Sequence, residues 1–173
     1  RRSLTVDAGS GLTTFDGVVG GTDEMGAIII SGSGGLDLDA AVSNATSLAV
    51  TGASNLGGDV TTVDAQTYTG SVTLSGATRT LLSSGGSTIT FGNTIDGTQA
   101  LNVNTAGTTV VNGNVGSGTA LGAIDIVTGA FDLNANITSA ASIDVNSTTA
   151  LGGNITTLGA QVYSGTITLN VNN

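Results

Sequence analysis

The side chains that could do chemistry are few and nearly all acidic. Twelve Asp and Glu stand against three basic residues, Arg1, Arg2 and Arg79, with no His and no Cys. Asp37 and Asp39 alternate in Gly34-Gly35-Leu36-Asp37-Leu38-Asp39, a glycine–aspartate arrangement that raises Ca²⁺ binding as an option. The Gly-Gly-x-Gly-x-Asp spacing of Ca²⁺-binding repeats is not met, and the corresponding later stretch carries Asp132 and then Asn134. Ca²⁺ takes six to eight oxygen ligands, so two carboxylates alternating along one strand read as a solvated outer face. No metal site is expected.

Asp7, Asp16, Asp96 and Asp125 are the right type for the acid–base pair that cleaves a glycosidic bond. That chemistry needs two carboxylates flanking one sugar linkage, together with groups that clamp the substrate. Arg79 is the only Arg away from the terminus, Lys is absent and Trp is absent, so few polar groups could converge on a site. Without His or Cys, the Ser-His-Asp and Cys-His nucleophile systems are excluded, as are zinc and haem sites built on those ligands. Gly57-Gly58 and Gly152-Gly153 are corners rather than phosphate loops, because a Walker motif requires Lys. Three Arg cannot neutralise a run of phosphates, which excludes a nucleic-acid partner. The reading is therefore a non-enzyme with no catalytic, cofactor-binding or metal-ligating residues and no cofactor.

Other residues have structural readings. Thr67-Tyr68-Thr69, Thr78-Arg79-Thr80, Thr88-Ile89-Thr90 and Thr166-Ile167-Thr168 each set two Thr on one face, an arrangement that ice-binding solenoids use. Thr is also an ordinary outward strand residue that stacks on itself between rungs. Tyr68 and Tyr163 occupy equivalent places in a repeat and are expected to stack on neighbouring rungs. Asn44, Asn136, Asn146 and Asn154 lie in N-x-[ST] sequons that Asn/Thr-rich sequence generates by chance.

The elements that must position these residues follow from composition. Charged residues make up 9% of 173 positions and apolar residues 39%, with 28 Gly and no Pro. Val, Ile and Thr dominate over helix formers, and β-branched residues suit a pleated surface better than a helix. The chain reads as all-β. No apolar run approaches the ~18 residues of a membrane-spanning helix, so no spanning segment is expected. Arg1-Arg2-Ser3-Leu4-Thr5 lacks the apolar core of a signal peptide, and the chain reads as a segment of a larger protein.

Internal repeats decide the architecture. Leu4-Thr5-Val6 matches Leu101-Asn102-Val103, Ala65-Gln66-Thr67-Tyr68 matches Ala160-Gln161-Val162-Tyr163, and Val72-Thr73-Leu74 matches Ile167-Thr168-Leu169. Segment 4–74 thus recurs as 101–169. Inside it, apolar strand starts fall every 12 residues, at Leu36, Leu48, Val60 and Val72 and again at Phe131, Ile143, Ile155 and Ile167. Short strands at even spacing with Gly/Asn/Ser corners predict a parallel β-helix, or β-solenoid, spanning 1–173 in roughly seven to nine rungs of about 20–24 residues. Two half-coils of 12 residues, or three faces sharing about 20, both satisfy the spacing. Asn102, Asn104, Asn112 and Asn114 are candidates for stacked amide ladders.

Ala65-Gln66-Thr67-Tyr68-Thr69-Gly70-Ser71-Val72-Thr73-Leu74 and Ser87-Thr88-Ile89-Thr90-Phe91-Gly92-Asn93-Thr94-Ile95-Asp96-Gly97 resemble the repeats of filamentous-haemagglutinin-like and autotransporter-like bacterial adhesins. The resemblance covers nearly the whole chain as a repeat style. It implies a right-handed parallel β-helix, export to the extracellular side of the outer membrane, and service as stalk, adhesin or fibre. The function expected first is therefore a structural or adhesive module of a secreted surface protein. It would self-associate end to end or within a longer chain, with a cell surface or polysaccharide as a further contact. A carbohydrate-binding or carbohydrate-cleaving β-helix is the alternative, and an ice-binding solenoid the third.

Overall fold

The computed structural model describes residues 1–170; the expected span of 1–173 extends over 171–173, which lie outside the described residues. Nineteen short or bent strands follow one another with no helix among the described residues, and every strand pair is parallel. The chain winds as a β-solenoid of about eight turns.

Each turn has three faces. The first face carries the column Leu4, Ile28, Leu48, Gln66, Ile89, Thr109, Phe131, Thr149 and Ile167, each in register with the next. Successive members are 24, 20, 18, 23, 20, 22, 18 and 18 residues apart. At ~4.8 Å per strand spacing, eight steps make a rod roughly 40 Å long. The second face runs Thr13, Leu36, Ser54, Val72, Ile95, Val115, Ile137 and Ile155. The third runs Val19, Val42, Val60, Leu81, Val103, Ile126, Val145 and Tyr163.

The three-faced alternative is thus the one realised, and coils run from 18 to 24 residues, so the shortest fall below the expected 20. In the regular coils each side takes six residues: strands begin at Leu48, Ser54, Val60, Gln66 and Val72. The 12-residue step spans two sides of a triangle rather than half a coil. Longer coils arise where a corner is enlarged, as between Leu74 and Arg79 and between Ser83 and Ile89.

The long repeat is not a whole number of turns. Leu4 lies on the first face, whereas its counterpart Leu101 pairs with Arg79 and Ile124 on the third. Gln66 lies on the first face and Gln161 on the third. Segment 4–74 therefore recurs after four turns and two sides, with each sequence element displaced to a neighbouring face. Three faces can exchange sequences only because each presents the same six-residue unit, with two inward side chains and one outward between them.

The core is the inside of this triangle. Alternate strand residues point inward, as in Ile28 and Ile30, Leu36 and Leu38, Leu48 and Val50, all at most 2% exposed. Phe91 and Phe131 help to line a small apolar cavity of about 10 Å³, with no polar lining. That is at the lower bound for one water, and it has no polar partners, so the cavity is dry. Where the third face turns into the first, a hydroxyl column replaces apolar residues. Thr62 donates to Asp64 O (2.6 Å), Ser83 to Asp64 O (3.0 Å), Thr105 to Ser87 O (2.6 Å) and Thr128 to Gly107 O (2.8 Å). Each satisfies a corner carbonyl that the ladder leaves free.

At Gly116 the chain turns with φ +70°, and an added Cβ would lie 1.9 Å from Ser139 O on the next coil. Gly116→Ala is expected to lower stability by roughly 2 kcal/mol, since backbone must move on two coils at once. A urea midpoint unchanged from the parent would contradict it. Ser54 occupies an inward second-face position at 2% exposure, and its hydroxyl has no hydrogen-bond partner. Ser54→Ala removes a buried orphan group and is expected to raise stability by about 1 kcal/mol; a lower thermal midpoint would refute that.

Candidate functional site

Outward side chains form three lateral columns, and these, with the two coil ends, are the surfaces available for function. The acidic residues named from sequence are scattered over them. Asp7 is exposed and its carboxylate accepts from Gly9 N (3.0 Å), shaping the turn behind it. Asp37 accepts from the Asn55 amide one coil on (2.8 Å), and Asp96 accepts from Gly118 N (2.7 Å) and Thr119 N (3.0 Å). Asp16 and Asp39 are exposed. Asp37 and Asp39 thus serve no common centre, and among the described residues no group of three or more His, Cys, Asp or Glu is placed to hold a metal ion.

One pairing was not anticipated. Asp125 and Asp144 are in register on adjacent coils and both exposed, which sets two carboxylates side by side on the third face. Like charges directly opposite destabilise a pair of strands. They stand on a strand surface; of the two shallow grooves nearby, one lies at the corner between the third and first faces and the other on the first face. One groove, of about 360 Å³, is lined by Asn104, Thr105, Ala106, Val127, Thr128 and Gly129. The other, of about 310 Å³, includes Thr108, Ala130, Asp132, Thr148, Ala150 and Thr168. Neither groove contains a carboxylate pair.

Arg79 is buried inside the coil, in register with the inward Leu101. Its guanidinium donates to Gly57 O and to Ala77 O (3.0 Å) and stands 3.7 Å from the Asp59 carboxylate. It ties the enlarged corner to the coil before it and presents no charge to a ligand. The Thr pairs do not continue along a face. Thr67 and Thr90 are neighbours in the outer first-face column, but Ala49 precedes them and Val110 follows. The Asn residues form two short series. Asn134 donates to the Asn112 side chain (3.0 Å), and the side chains of Asn114 and Asn136 accept from the backbone N–H of Asn136 (3.1 Å) and Asn154 (2.8 Å). Asn102 and Asn104 face Asp125 and Val127 and do not extend an amide ladder.

The most organised polar constellation is internal. Gln66 is fully buried; its amide nitrogen donates to Leu82 O (2.9 Å), Val60 O (3.2 Å) and Thr62 Oγ1 (3.3 Å), and its oxygen accepts from the Tyr68 hydroxyl (3.1 Å). Tyr68 stacks on Phe91 of the next coil, ring centroids 5.6 Å apart at 13°. Burial holds the Tyr68 phenol far above its ordinary range, so it stays protonated. Gln161 repeats the intracoil pattern, donating to Ile155 O (3.3 Å) and Thr157 Oγ1 (3.2 Å). Tyr68 and Tyr163 lie on different faces and do not stack on each other, and the Tyr163 hydroxyl, unlike that of Tyr68, has no hydrogen-bond partner.

No family model, curated protein or solved structure matches this chain. The surfaces and the coil itself carry the functional reading. No helix of the described residues is long and apolar enough to cross a membrane.

Proposed function

We propose that this chain is a structural rod module of a bacterial surface protein or extracellular fibre, adhesive through its lateral faces. The observation that supports the reading best is the unbroken first-face column from Leu4 to Ile167. Parallel hydrogen bonding along one axis suits a part that spans distance and resists extension. The sequence resemblance to adhesin repeats supports the extracellular setting. Net charge −9 is carried mostly on outward side chains, and its repulsion keeps rods from uncontrolled lateral association. Polar Thr, Asn and Asp columns remain available to a cell surface or polysaccharide.

Immunogold electron micrographs of native cells test this. Label along thin extended structures outside the outer membrane is the expected result. Label confined to the cell interior, or on discrete globular particles, would overturn the proposal. A glycan panel run beside it distinguishes an adhesive rod that holds polysaccharide from an enzyme that shortens it.

A further inference from the structure

The three lateral faces are not alike in charge. Asp37 and Asp96 stand in the outward column of the second face, and Asp125 and Asp144 in that of the third. The outward column of the first face runs Thr5, Ile29, Ala49, Thr67, Thr90 and Val110 without a charge. The residues beside it are small as well: Ala27, Ser47 and Ala65 precede its strands, and Thr51 and Thr69 follow them.

One bump and one dent interrupt this face. Ile29 holds a large apolar side chain out at 40% exposure. The dent is the groove of about 310 Å³ between the column Thr108, Ala130, Thr148 and the column Asp132, Ala150, Thr168. It forms because Ala130 is short between Thr108 and Thr148, and Ala150 is short between Asp132 and Thr168. Counted along the register, Ile29 lies three coils before Thr90, and Ala150 lies three coils after it. Bump and dent are thus equidistant, at ~14 Å, from a single strand.

We propose that the first face is a docking surface for a second copy of this chain, packed face to face with its rod axis reversed. A two-fold axis lying in the interface along the Thr90 strand brings Ile29 of each copy over Ala150 of the other, so both grooves are filled at once. An isologous contact requires that reciprocity. The same operation sets Thr67 against Val110 and Thr90 against itself. It sets Asp132 against Ala49 of the second copy, where the hydroxyls of Ser47 and Thr51 stand ready to donate to a carboxylate that would be costly to cover unpaired. Nine first-face strands at ~4.8 Å, each about 13 Å wide from Ala27 to Ser31 or its equivalents, make a face about 43 Å long. Two such faces bury about 1,100 Å², above the ~1,000 Å² that a specific contact needs. The acidic second and third faces stay outward and oppose further lateral packing, so assembly stops at a pair. This pairing goes beyond the rod reading, which supplies its biological setting and none of its geometry.

Sedimentation equilibrium of the 173-residue chain tests the pair, with each variant confirmed folded by circular dichroism. The parent is expected to show a closed monomer–dimer equilibrium. Ile29→Asp and Ala150→Lys, both at outward positions, should each raise the dimer dissociation constant at least about tenfold. An equimolar mixture of these two variants should recover most of the parent's association. One of its two bump-and-groove contacts then joins an acidic to a basic side chain, and the other is unaltered. The two positions lie six coils apart in one chain, so the recovery cannot be intramolecular. Thr73→Lys, on the exposed second face, should leave dimerisation unchanged. A parent that is monomeric at every concentration, an open-ended series, or a mixture no tighter than its components overturns the proposal. So does a monomeric parent that binds insoluble cellulose and loses it on Ile29→Asp, which would give the face to a polysaccharide. Interior localisation of the native protein would sink the extracellular setting without touching the dimer.

Discussion

Replacing Phe91 with alanine is expected to cost about 4 kcal/mol, the largest loss from any single side chain in the coil. Phe91 is fully buried and lies in register with Tyr68 before it and Val111 after it. Its ring stacks on Tyr68 and helps to line the dry cavity shared with Phe131 and Ile137. Truncation removes the ring's burial and enlarges a void that already exists. The surrounding backbone is pinned by ladder bonds on both sides, so it cannot collapse into the space. Phe91→Leu keeps most of the volume and should lose only about 1.5 kcal/mol or less. Urea denaturation of both variants measures the difference. An alanine variant within 1 kcal/mol of the parent would mean that the coil tightens freely, contrary to the ladder argument.

Much of this architecture was legible in the amino-acid sequence, and the part that was not has a physical cause. Alternation in Leu48-Ala49-Val50 and Ile143-Asp144-Val145 marks strands with two side chains in and one out. The apolar starts at Leu36, Leu48, Val60 and Val72 marked every second side of the triangle. Of the three intervening sides, two begin with a polar residue, at Ser54 and Gln66 and in the second copy at Thr149 and Gln161, while Val42 and Ile137 begin the third. A polar residue at a core position hides a side from any hydrophobicity pattern, so six-residue spacing was read as 12. The 17-residue step from Val72 to Ile89 had another origin: it too spans two sides, and the enlarged corners on either side of the strand Arg79–Ser83 lengthen it beyond 12.

The phase of the long repeat was also out of reach, because each side accepts the same unit and nothing local tells one face from another. The Asp125–Asp144 juxtaposition depends on coil length between them, which varies from turn to turn. By contrast, the internal Gln66–Tyr68 network had a visible signal. The chain has only two Tyr, and each follows a Gln by two residues, at Gln66-Thr67-Tyr68 and Gln161-Val162-Tyr163. A rare residue pair repeated at fixed spacing in a Thr/Gly-rich background marks a specific contact rather than composition.

That network is expected to respond to substitution in a way simple burial would not. Gln66→Leu leaves the Tyr68 hydroxyl buried without an acceptor and withdraws the donor from Leu82 O and Val60 O. A loss of about 3 kcal/mol follows from the orphaned groups together. Tyr68→Phe alone removes only the hydroxyl, leaving the Gln66 oxygen unpaired, and should lose about 1 kcal/mol. The double variant removes both members of the hydroxyl–amide bond, so its loss should fall short of the sum by about 1 kcal/mol. A strictly additive cycle would show that the two side chains do not interact.

The Tyr68 phenol adds an alkaline signature to the same cycle. Burial raises its folded-state pKa, while the unfolded chain titrates near 10. Below that pH both states hold the proton and stability is independent of this group. Above it the unfolded chain releases a proton that the folded chain keeps, so stability falls by about 1.4 kcal/mol per pH unit. Tyr68→Phe removes that share of the alkaline slope, whereas Gln66→Leu retains it because the ring stays buried against Phe91. Stability measured between pH 8 and 11 separates the two variants: a parent and a Tyr68→Phe variant with the same alkaline slope would place the phenol in solvent rather than inside the coil.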